Sequence, residues 1–359
     1  MTILLAFGSN GSGQLGTGHK DDVSAPTQVI LPPQLAASSS KVTITQIAAG
    51  GNHTLLLLSS GDVLYSGTLL SESDPSTTTD QFTPLPLPEN TTAQHVACTW
   101  TGSIISCSNK KVYSLGVGTK GELGLSQATL SSPTLQEIPD FPPADTSVVA
   151  LSASMSHAVA VLDNGKTYAW GANRKGQIGQ PSSQAVHSPR LISEVPFPVQ
   201  RAVCGREFTV LFGSPETGDM KIIGSDKWKI QTRAPEPPEL QGWKTAGAGW
   251  GSVCVLQKDG ALNSWGRNDH GQLGPAAGKI GTIQDIAVGS EHALALTQKG
   301  EVVAWGWGEH GNCGPLEEQQ HKSGPSQIQV PTIGSAKVVM LGAGCATSWI
   351  VLDEHEVNG

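Results

Sequence analysis

Three histidines, His53, His157 and His292, occupy equivalent places in a recurring sequence pattern. Histidine is a common metal ligand and a common general base, so a catalytic or metal-binding role has to be considered. His53 and His292 each stand three residues after a glycine, Gly50 and Gly289. Equivalent residues of separate repeats lie apart in space and cannot converge on one ion. Hydrogen bonds within or between repeats are therefore the favoured interpretation of all three.

The glycine-rich stretch GSNGSGQLGTG at residues 8–18 is the other candidate for chemistry. A phosphate-binding loop would open a helix and is often followed by lysine, whereas no helical pattern follows these glycines. They are better explained as turn formers. The sequence also contains no nucleophile elbow, HExxH, EF-hand loop or kinase motif set. We therefore predict that the chain is not an enzyme, with no catalytic residue, bound cofactor or metal site of its own.

Short strands carry these residues. Residues 283–314 contain an apolar strand, the His292 step, the alternating strand HALAL, a turn at Lys299-Gly300, the strand EVVAWG and a glycine-rich hairpin. The same order recurs at a period of roughly 40 to 50 residues, which is typical of propellers and solenoids. Stacked repeats share a core only when all are present. We therefore predict one domain spanning residues 1–359.

Seven such units can be counted, of which the last stops before its AWG-like strand. We expect Ile3 to Phe7 to supply the outer strand of that last sheet and to close a ring, which hides sheet edges. The predicted fold is all-β, a seven-bladed β-propeller of four-stranded blades closed by the N-terminal strand. The units run over residues 44–67, 95–116, 148–171, 199–224, 243–266, 283–306 and from 337 onward.

The composition narrows the functional classes. The chain has 43 Gly and 23 Pro in 359 residues, which suits many tight turns, and its net charge of −8 argues against a uniform phosphate-binding face. Its six cysteines form no CxxC pair, which favours buried thiols and a reducing compartment. There is no convincing signal peptide and no apolar run of the roughly 20 residues that span a bilayer. We expect a soluble protein of the cytoplasm and nucleus.

Four-residue glycine motifs carry a family resemblance. GQLG occurs at residues 13–16 and 271–274, GELG at 121–124 and GQIG at 176–179, together with the GxxH steps. This pattern resembles the regulator of chromosome condensation (RCC1) repeat over essentially the whole chain. The resemblance implies a seven-bladed β-propeller with four strands in each blade.

The opening AFGSNGSGQLGTGHKDDVSAP at residues 6–26, with GGNH at 50–53, resembles one subgroup more closely. This is the fungal alpha-tubulin suppressor, or killer-toxin-insensitivity thirteen, subgroup. The resemblance implies a heterodimer with a small CSL-type zinc- or iron-binding protein. It also implies roles in diphthamide synthesis on elongation factor 2 and in Elongator-dependent tRNA wobble uridine modification. Contact with Elongator would be indirect, and neither nucleic acid nor membrane would be bound directly.

The residues that break the repeat are the candidates for binding such a partner. The positions before each histidine slot should ring one face, and aromatic and arginine anchors among polar groups are typical of protein-binding hot spots. The alternative is that the tryptophans plug the channel or pack on neighbouring blades. This ring comprises Trp100, Met155, Arg206, Glu207, Trp250 and Glu291.

Further candidates stand in connecting loops, where an exposed tryptophan suggests an interface. They are Trp228, Trp307 and the acidic stretch containing His19, Asp21 and Asp22, whose alternative is a solvated turn. By contrast, Trp170, Trp265 and Trp305 occupy the AWG or SWG slot and are expected in the core.

Two other functions are compatible with the repeats. The first is guanine-nucleotide exchange on a Ran-like GTPase, although a basic N-terminal tail for nucleosomes is missing from the opening residues. The second is a plant ultraviolet photoreceptor, which GAGWGS at residues 247–252 supports poorly because no GWRHT motif is repeated.

Overall fold

The computed structural model describes residues 2–36, 42–70, 78–276, 278–315 and 324–354. The strands form seven antiparallel sheets, and we number blades 1 to 7 from the first complete one. The first two strands, β1 (Thr2–Gly8) and β2 (Val23–Gln28), belong to blade 7 and precede a short helix, α1 (Pro33–Ala36).

Blades 1 to 3 each contain four strands in chain order. Blade 1 comprises β3 (Ile44–Ala49), β4 (His53–Leu58), β5 (Val63–Thr68) and β6 (Thr78–Leu85). Blade 2 comprises β7 (Ala93–Cys98), β8 (Gly102–Cys107), β9 (Val112–Val117) and β10 (Ser131–Glu137). Blade 3 comprises β11 (Val148–Ser154), β12 (His157–Leu162), β13 (Thr167–Asn173) and β14 (Ser183–Leu191).

Blades 4 to 7 complete the ring. Blade 4 comprises β15 (Arg201–Cys204), β16 (Phe208–Phe212) and β17 (Met220–Gly224), and blade 5 comprises β18 (Trp243–Ala248), β19 (Ser252–Gln257) and β20 (Leu262–Gly266). Blade 6 comprises β21 (Ile283–Val288), β22 (His292–Thr297), β23 (Val302–Gly306) and β24 (Ser326–Ile328). Blade 7 comprises β25 (Lys337–Ala343), β26 (Thr347–Asp353), β1 and β2.

The first strand of every blade lines the central channel and contacts the first strands of both neighbouring blades, including β25 against β3. The second strands are buried along their whole length apart from Asp353 at the end of β26, as in HTLLLL of β4 and HALALT of β22. The apolar side chains form seven clusters, one between each pair of neighbouring blades. The predicted seven-bladed β-propeller is thus confirmed, and its core is divided among the interfaces.

The ring closes as expected through the N-terminal strand. β1 pairs with β26 from Thr2 opposite Asp353 to Gly8 opposite Thr347. However, residues 3–7 do not form the outer strand, because β2 pairs on the other side of β1. The burial of the two strands explains this order, since β1 is almost entirely buried and β2 has no fully buried residue.

Blades 4 and 5 differ from the four-stranded expectation, because each has three strands among the described residues. In blade 5 only nine positions separate Gly274 from Ile283 (283 − 274), whereas 22 separate Gly179 from Arg201 in blade 3 (201 − 179). Nine positions are too few for an outer strand and its return. In blade 4 the corresponding segment folds into a 3-10 helix (Lys227–Lys229) and a short helix, α2 (Pro237–Leu240).

Candidate partner-binding face

One repeated hydrogen bond places the candidate loops of all blades on the same face. In every blade a backbone N–H at the end of the third strand or directly after it donates to the carbonyl just before the second strand. The connection between the first two strands therefore lies beside the connection that follows the third, and we call this side the loop face. The donor and acceptor pairs are Ser9–Ala346, Thr68–Asn52, Val117–Thr101, Ala172–Ser156, Ser225–Glu207, Arg267–Gly251 and Trp307–Glu291.

Backbone hydrogen bonds between blades fix the inner rim of the loop face. The N–H of Trp100 donates to the Met155 carbonyl at 3.1 Å, and the N–H of Arg206 donates to the Trp250 carbonyl at 3.2 Å. The N–H of Trp250 donates in turn to the Ser290 carbonyl at 2.6 Å. The ring of residues proposed from the sequence is therefore a rigid rim around the channel.

Trp100 and Trp250 meet across this channel. They come from blades 2 and 5, and their ring centroids lie 6.1 Å apart with an interplanar angle of 36°. Both indoles are half-buried and, with Met155, line the cavity at this end of the channel. These tryptophans do plug the channel, as the alternative interpretation of the sequence expected. The plug still presents aromatic surface on the loop face.

A pocket of about 310 Å³ opens beside the plug, and we call it the Trp228 pocket. It brings together five of the residues singled out from the sequence, although they belong to three blades and one loop. The Arg206 guanidinium lies 5.5 Å from the centroid of the Trp250 ring, which is within cation–π distance. The pocket is lined by Arg206, Glu207, Phe208, Ser225, Lys227, Trp228, Trp250, Arg267 and Glu291.

Arg267 organises the charges of the Trp228 pocket. Its Nη1 donates to Glu291 at 2.5 Å, its Nε donates to Asp269 at 2.7 Å, and its guanidinium lies 5.0 Å from the Trp228 centroid. Gln272 Nε2 also donates to Glu291 at 2.9 Å. The hydrogen bond from Arg267 lowers the pKa of Asp269 to about 2, although burial acts in the opposite direction.

Sequence reasoning missed Arg267, although a signal was present. It directly follows the SWG slot, just as Trp307 follows the AWG slot of blade 6. Both are the first residue after a third strand, where the repeated hydrogen bond presents a side chain beside the rim.

Trp228 is held in an unusual backbone conformation. It has φ 67° and the next residue, Lys229, has φ 59°, a region that costs L-residues roughly 1–2 kcal/mol each. Its side chain is 42% exposed and packs against Gly251, where a Cβ would lie 2.9 Å from indole Cδ1. The segment is anchored behind by buried Ile230, whose carbonyl accepts Trp265 Nε1–H at 2.9 Å. An exposed indole is thus fixed on the loop face.

The remaining candidates form a second cluster at the junction of blades 6 and 7. Asp22 Oδ2 lies 2.7 Å from His310 Nδ1, and the His310 ring stands edge-on to Trp307 with centroids 5.4 Å apart. Asp22 Oδ1 also accepts the Asn10 N–H at 2.8 Å. The acidic stretch therefore has contacts that a simple solvated turn lacks.

The other two residues of that stretch make local contacts. The His19 carbonyl accepts Asn10 Nδ2–H at 2.8 Å, and His19 Nδ1 accepts the Asp21 N–H at 3.2 Å. Asp21 itself is exposed. His19 and Asp21 thus shape the loop that carries Asp22.

The three repeated histidines make structural hydrogen bonds, as expected. Nε2 of His53, His157 and His292 lies 2.9 Å from a hydroxyl of the next blade, on Ser103, Thr209 and Ser348 respectively. Burial lowers the pKa of each histidine to about 4. The GxxH spacing also has a steric basis, since a Cβ on Gly50 would lie 2.8 Å from His53 Cε1.

The AWG and SWG tryptophans are buried, which confirms their predicted place in the core. Trp170 Nε1 donates to the Glu122 carbonyl at 2.8 Å, and Trp305 Nε1 donates to the Gln272 carbonyl at 3.1 Å. Both acceptors belong to the GELG or GQLG hairpin of the preceding blade. These motifs therefore join neighbouring blades.

Among the described residues, no group of three or more His, Cys, Asp or Glu side chains is arranged to hold a metal ion. The described helices are also too short and too polar to cross a membrane.

Comparison with known proteins identifies the family. The model of the RCC1-like domain matches residues 3–350. The chain belongs to the RCC1-like family. An RCC1 repeat-containing protein of Schizosaccharomyces pombe is 31% identical over 376 residues, covering 98% of this chain and 99% of that protein. The secretion-regulating guanine nucleotide exchange factor of Mus musculus is 25% identical, covering 99% of this chain and 85% of that protein.

Solved structures of the RCC1-like family share the propeller. Prp20p of Saccharomyces cerevisiae, described with its binding properties to Gsp1p and histones, superposes with a TM-score of 0.82. The match covers 99% of this chain and 92% of Prp20p at 20% identity, which establishes likeness of fold.

Proposed function

We propose that this RCC1-like propeller is a non-enzymatic adaptor that binds a partner protein on its loop face. The convergence of Trp228, Trp250 and Arg206 on one pocket carries this proposal. Tryptophan and arginine are the residues most enriched in binding hot spots, and a rigid anchor loses little entropy on binding. The left-handed backbone that keeps Trp228 exposed is further support, since strained residues cluster at functional sites.

The partner that we propose is a small CSL-type zinc- or iron-binding protein. This finer proposal is supported by the subgroup-like opening at residues 6–26 and by the contacts of Asp22 in the second cluster. The adaptor would then support diphthamide synthesis and Elongator-dependent tRNA modification in the cytoplasm and nucleus. Contact with Elongator would be indirect, and neither nucleic acid nor membrane would be bound directly.

The first experiment is to express the chain with an affinity tag in a fungal host and to identify stoichiometric co-eluting proteins by mass spectrometry. We expect a small cysteine-rich CSL protein. Trp228→Ala and Arg206→Glu should each abolish its recovery, because both residues line the pocket. Lys299→Glu is a matched charge reversal on an exposed turn of the opposite face and should leave recovery unchanged.

Thermal unfolding of each variant separates loss of binding from loss of fold. Both pocket side chains are exposed, so we expect unfolding temperatures close to that of the unchanged chain. Recovery of the partner at full stoichiometry with both pocket variants would remove the Trp228 pocket from the interface. Copurification of a GTPase or histones would remove the CSL partner.

The alternative function is guanine-nucleotide exchange on a Ran-like GTPase. It is supported by similarity to the murine secretion-regulating exchange factor over nearly the whole chain. The test is nucleotide release from a purified Ran-like GTPase loaded with a fluorescent guanine nucleotide. Acceleration by catalytic amounts of the chain would favour exchange, and an unchanged release rate would leave the adaptor proposal standing.

A further inference from the structure

In blade 5 the outer edge of the third strand is open, whereas in five other blades a further segment of the chain covers this edge. In those blades a buried aliphatic residue of the outer segment stands beside the start of the third strand. Its N–H donates to the third-strand carbonyl in three of them, as in Ile192 to Thr167 at 2.9 Å. The five aliphatic residues are Val29, Leu85, Ile138, Ile192 and Ile328, which face Leu4, Val63, Val112, Thr167 and Val302 respectively.

Leu262 holds the equivalent position in blade 5. The alignment follows from the glycine that ends the third strand, since Gly266 pairs with Ser252 as Gly171 pairs with His157 in blade 3. Counting back four residues from each glycine gives Leu262 and Thr167. No strand of the described chain pairs with β20 on this side.

The direction of the free hydrogen-bonding groups follows from the register. Arg267 N–H donates to Gly251, and the Ala261 carbonyl accepts Gln257 N–H, so odd-numbered residues of this strand point towards β19. In an antiparallel strand the alternate residues point the other way. The backbone groups of Leu262 and Ser264 therefore face outward. The described chain supplies them with no partner.

A groove of about 630 Å³ lies along this edge. It is far larger than the ~30 Å³ of a water molecule and has room for side chains. Its lining includes Leu273 and Pro275 from the hairpin after β20, and Arg233 and Pro235 from the segment before α2. Glu239 also lines the groove, but its carboxylate accepts the Glu236 N–H at 3.0 Å. No carboxylate of the described residues lies within ion-pair distance of Arg233, which leaves this cation available to a ligand.

Blade 4 also lacks a fourth strand, but its edge is covered. Gln231 Nε2 donates to the Gly224 carbonyl at 2.8 Å, in place of an outer strand. Leu240 is fully buried and packs in the same cluster as Met220. The open edge is therefore specific to blade 5.

We propose that β20 is a strand-addition site for an extended segment of a partner protein. The segment would pair antiparallel to β20, place a Val, Ile or Leu beside Leu262, and carry an acidic residue towards Arg233. The segment needs an aliphatic residue because the equivalent residues of the other blades are aliphatic. It needs an acidic residue because Arg233 has no ion-pair partner among the described residues. Main-chain hydrogen bonds supply affinity in this mode, and side-chain pockets supply specificity. The site is separate from the Trp228 pocket.

The probe is a fluorescently labelled peptide with the sequence of residues 131–140, SSPTLQEIPD, which is the outer segment of blade 2 and places Ile138 beside Glu137 and Asp140. Binding to the whole chain is measured by anisotropy. Amide hydrogen exchange then reports on Leu262 and Ser264. We expect saturable binding and slower exchange at both amides. Replacing the isoleucine of the peptide by serine should weaken binding by about ten- to a hundredfold, since a buried aliphatic side chain contributes roughly 1.5–3 kcal/mol and each 1.4 kcal/mol is about tenfold.

Ser264→Pro removes an outward N–H and leaves the ladder with β19 intact, so it should abolish peptide binding while the chain stays folded. Ser264→Ala is the matched control, because it loses the same hydroxyl contact with Leu273 but retains the N–H. Arg233→Glu should weaken the acidic peptide and favour a version with lysine in place of both carboxylates.

Three results would overturn the proposal. The first is equal peptide affinity for the Ser264→Pro and Ser264→Ala variants, and the second is no binding to the unchanged chain at millimolar peptide. The third is protection of the Leu262 and Ser264 amides in the free chain that disappears on dilution, which would assign the edge to a second copy. Ser264→Pro should leave copurification through the Trp228 pocket intact, so the two proposals fail independently.

Discussion

Each buried histidine depends on a hydroxyl in the following blade. Thr209 Oγ1 donates to the Gln177 carbonyl at 2.7 Å, so its one proton is used and it must accept from His157 Nε2–H. Ser348 makes the same arrangement between His292 and the Asn312 carbonyl. Four blades have no histidine at this position. In the blade that follows each of them, the position of the hydroxyl is occupied by Ala158, Val253, Ala293 or Thr54, so only one of the four retains a hydroxyl.

Thr209→Val is expected to destabilise the chain by roughly 1–3 kcal/mol, because it leaves His157 Nε2–H and the Gln177 carbonyl buried without a partner. Equilibrium unfolding in urea measures the change. Thr209→Ser retains the hydroxyl and should cost clearly less. Equal losses for the two variants would mean that the methyl group, and not the hydrogen bond, stabilises this interface.

The same histidines predict a pH dependence of stability. Their pKa is about 4 in the folded chain and about 6.5 when unfolded, so the unfolded state binds more protons between these values. Stability is therefore complete above pH 6.5 and falls as the pH drops towards 4. We expect a loss of about 2 kcal/mol per histidine between pH 7 and pH 5, measured by urea unfolding.

A single-site variant checks the origin of this pH effect. His157→Gln should reduce the loss between pH 7 and pH 5 by about one third, because one of three equivalent groups no longer titrates. An unchanged pH slope in this variant would assign the effect to other groups.

Residue identity alone predicted part of the candidate site. The roles of the histidines and core tryptophans followed from repetition, since equivalent residues in separate blades must act locally. The Trp228 pocket did not follow, because Arg206, Trp228 and Arg267 come together only through the curvature of the ring. The spacing of these three residues along the chain does not indicate that they are close in space.

At the scale of elements, the segment after β17 replaces an outer strand. Ile230 anchors it, being fully buried and bonded through its carbonyl to Trp265. Ile230→Ala should therefore cost about 2–5 kcal/mol and release the exposed Trp228 loop.

Urea unfolding and quenching of tryptophan fluorescence by iodide test the Ile230→Ala variant. We expect increased quenching as the loop loosens. Lys229→Ala is the neighbouring control at an exposed position and should change stability by less than ~0.5 kcal/mol. Unchanged quenching in Ile230→Ala would show that other contacts hold the loop.

The number of strands in a blade is also decided at this scale. Repetition led to four strands everywhere, whereas the nine positions between Gly274 and Ile283 leave no length for an outer strand. That shortage can be predicted from the sequence. The helical segment that replaces the outer strand of blade 4 is harder to predict, because it depends on a left-handed backbone at Trp228 and Lys229, and tryptophan and lysine rarely adopt this conformation.

At the scale of the whole molecule, stability depends on closing the ring. Removing residues 1–28 deletes β1 and β2, which leaves β26 paired with β25 alone and exposes Trp349, which packs in one cluster with Leu4. We expect this variant to lose cooperative unfolding and to aggregate, because repeat blades are stabilised by their neighbours. Calorimetry and light scattering measure both effects.

A circular permutant is the control for that deletion. Residue 359 is joined to residue 1 by a flexible linker, and the chain is opened between Asp145 and Thr146, in a turn between blades 2 and 3. It keeps every strand pair and should unfold cooperatively, like the unchanged chain. Loss of cooperativity in the permutant as well would show that the position of the termini matters more than the pairing of β1 with β26.

The pairing of β1 with β26 also has a consequence during translation. The last residue of β1 and the first of β26 are 339 positions apart (347 − 8). At about 5–20 residues per second, the ribosome needs roughly 20 to 70 s to make the intervening chain. Throughout that time the strand TILLAFG, which is almost wholly buried in the finished ring, cannot pair with β26 because β26 has not yet been synthesised. A nascent-chain chaperone that masks this heptapeptide would protect every newly made copy from aggregation.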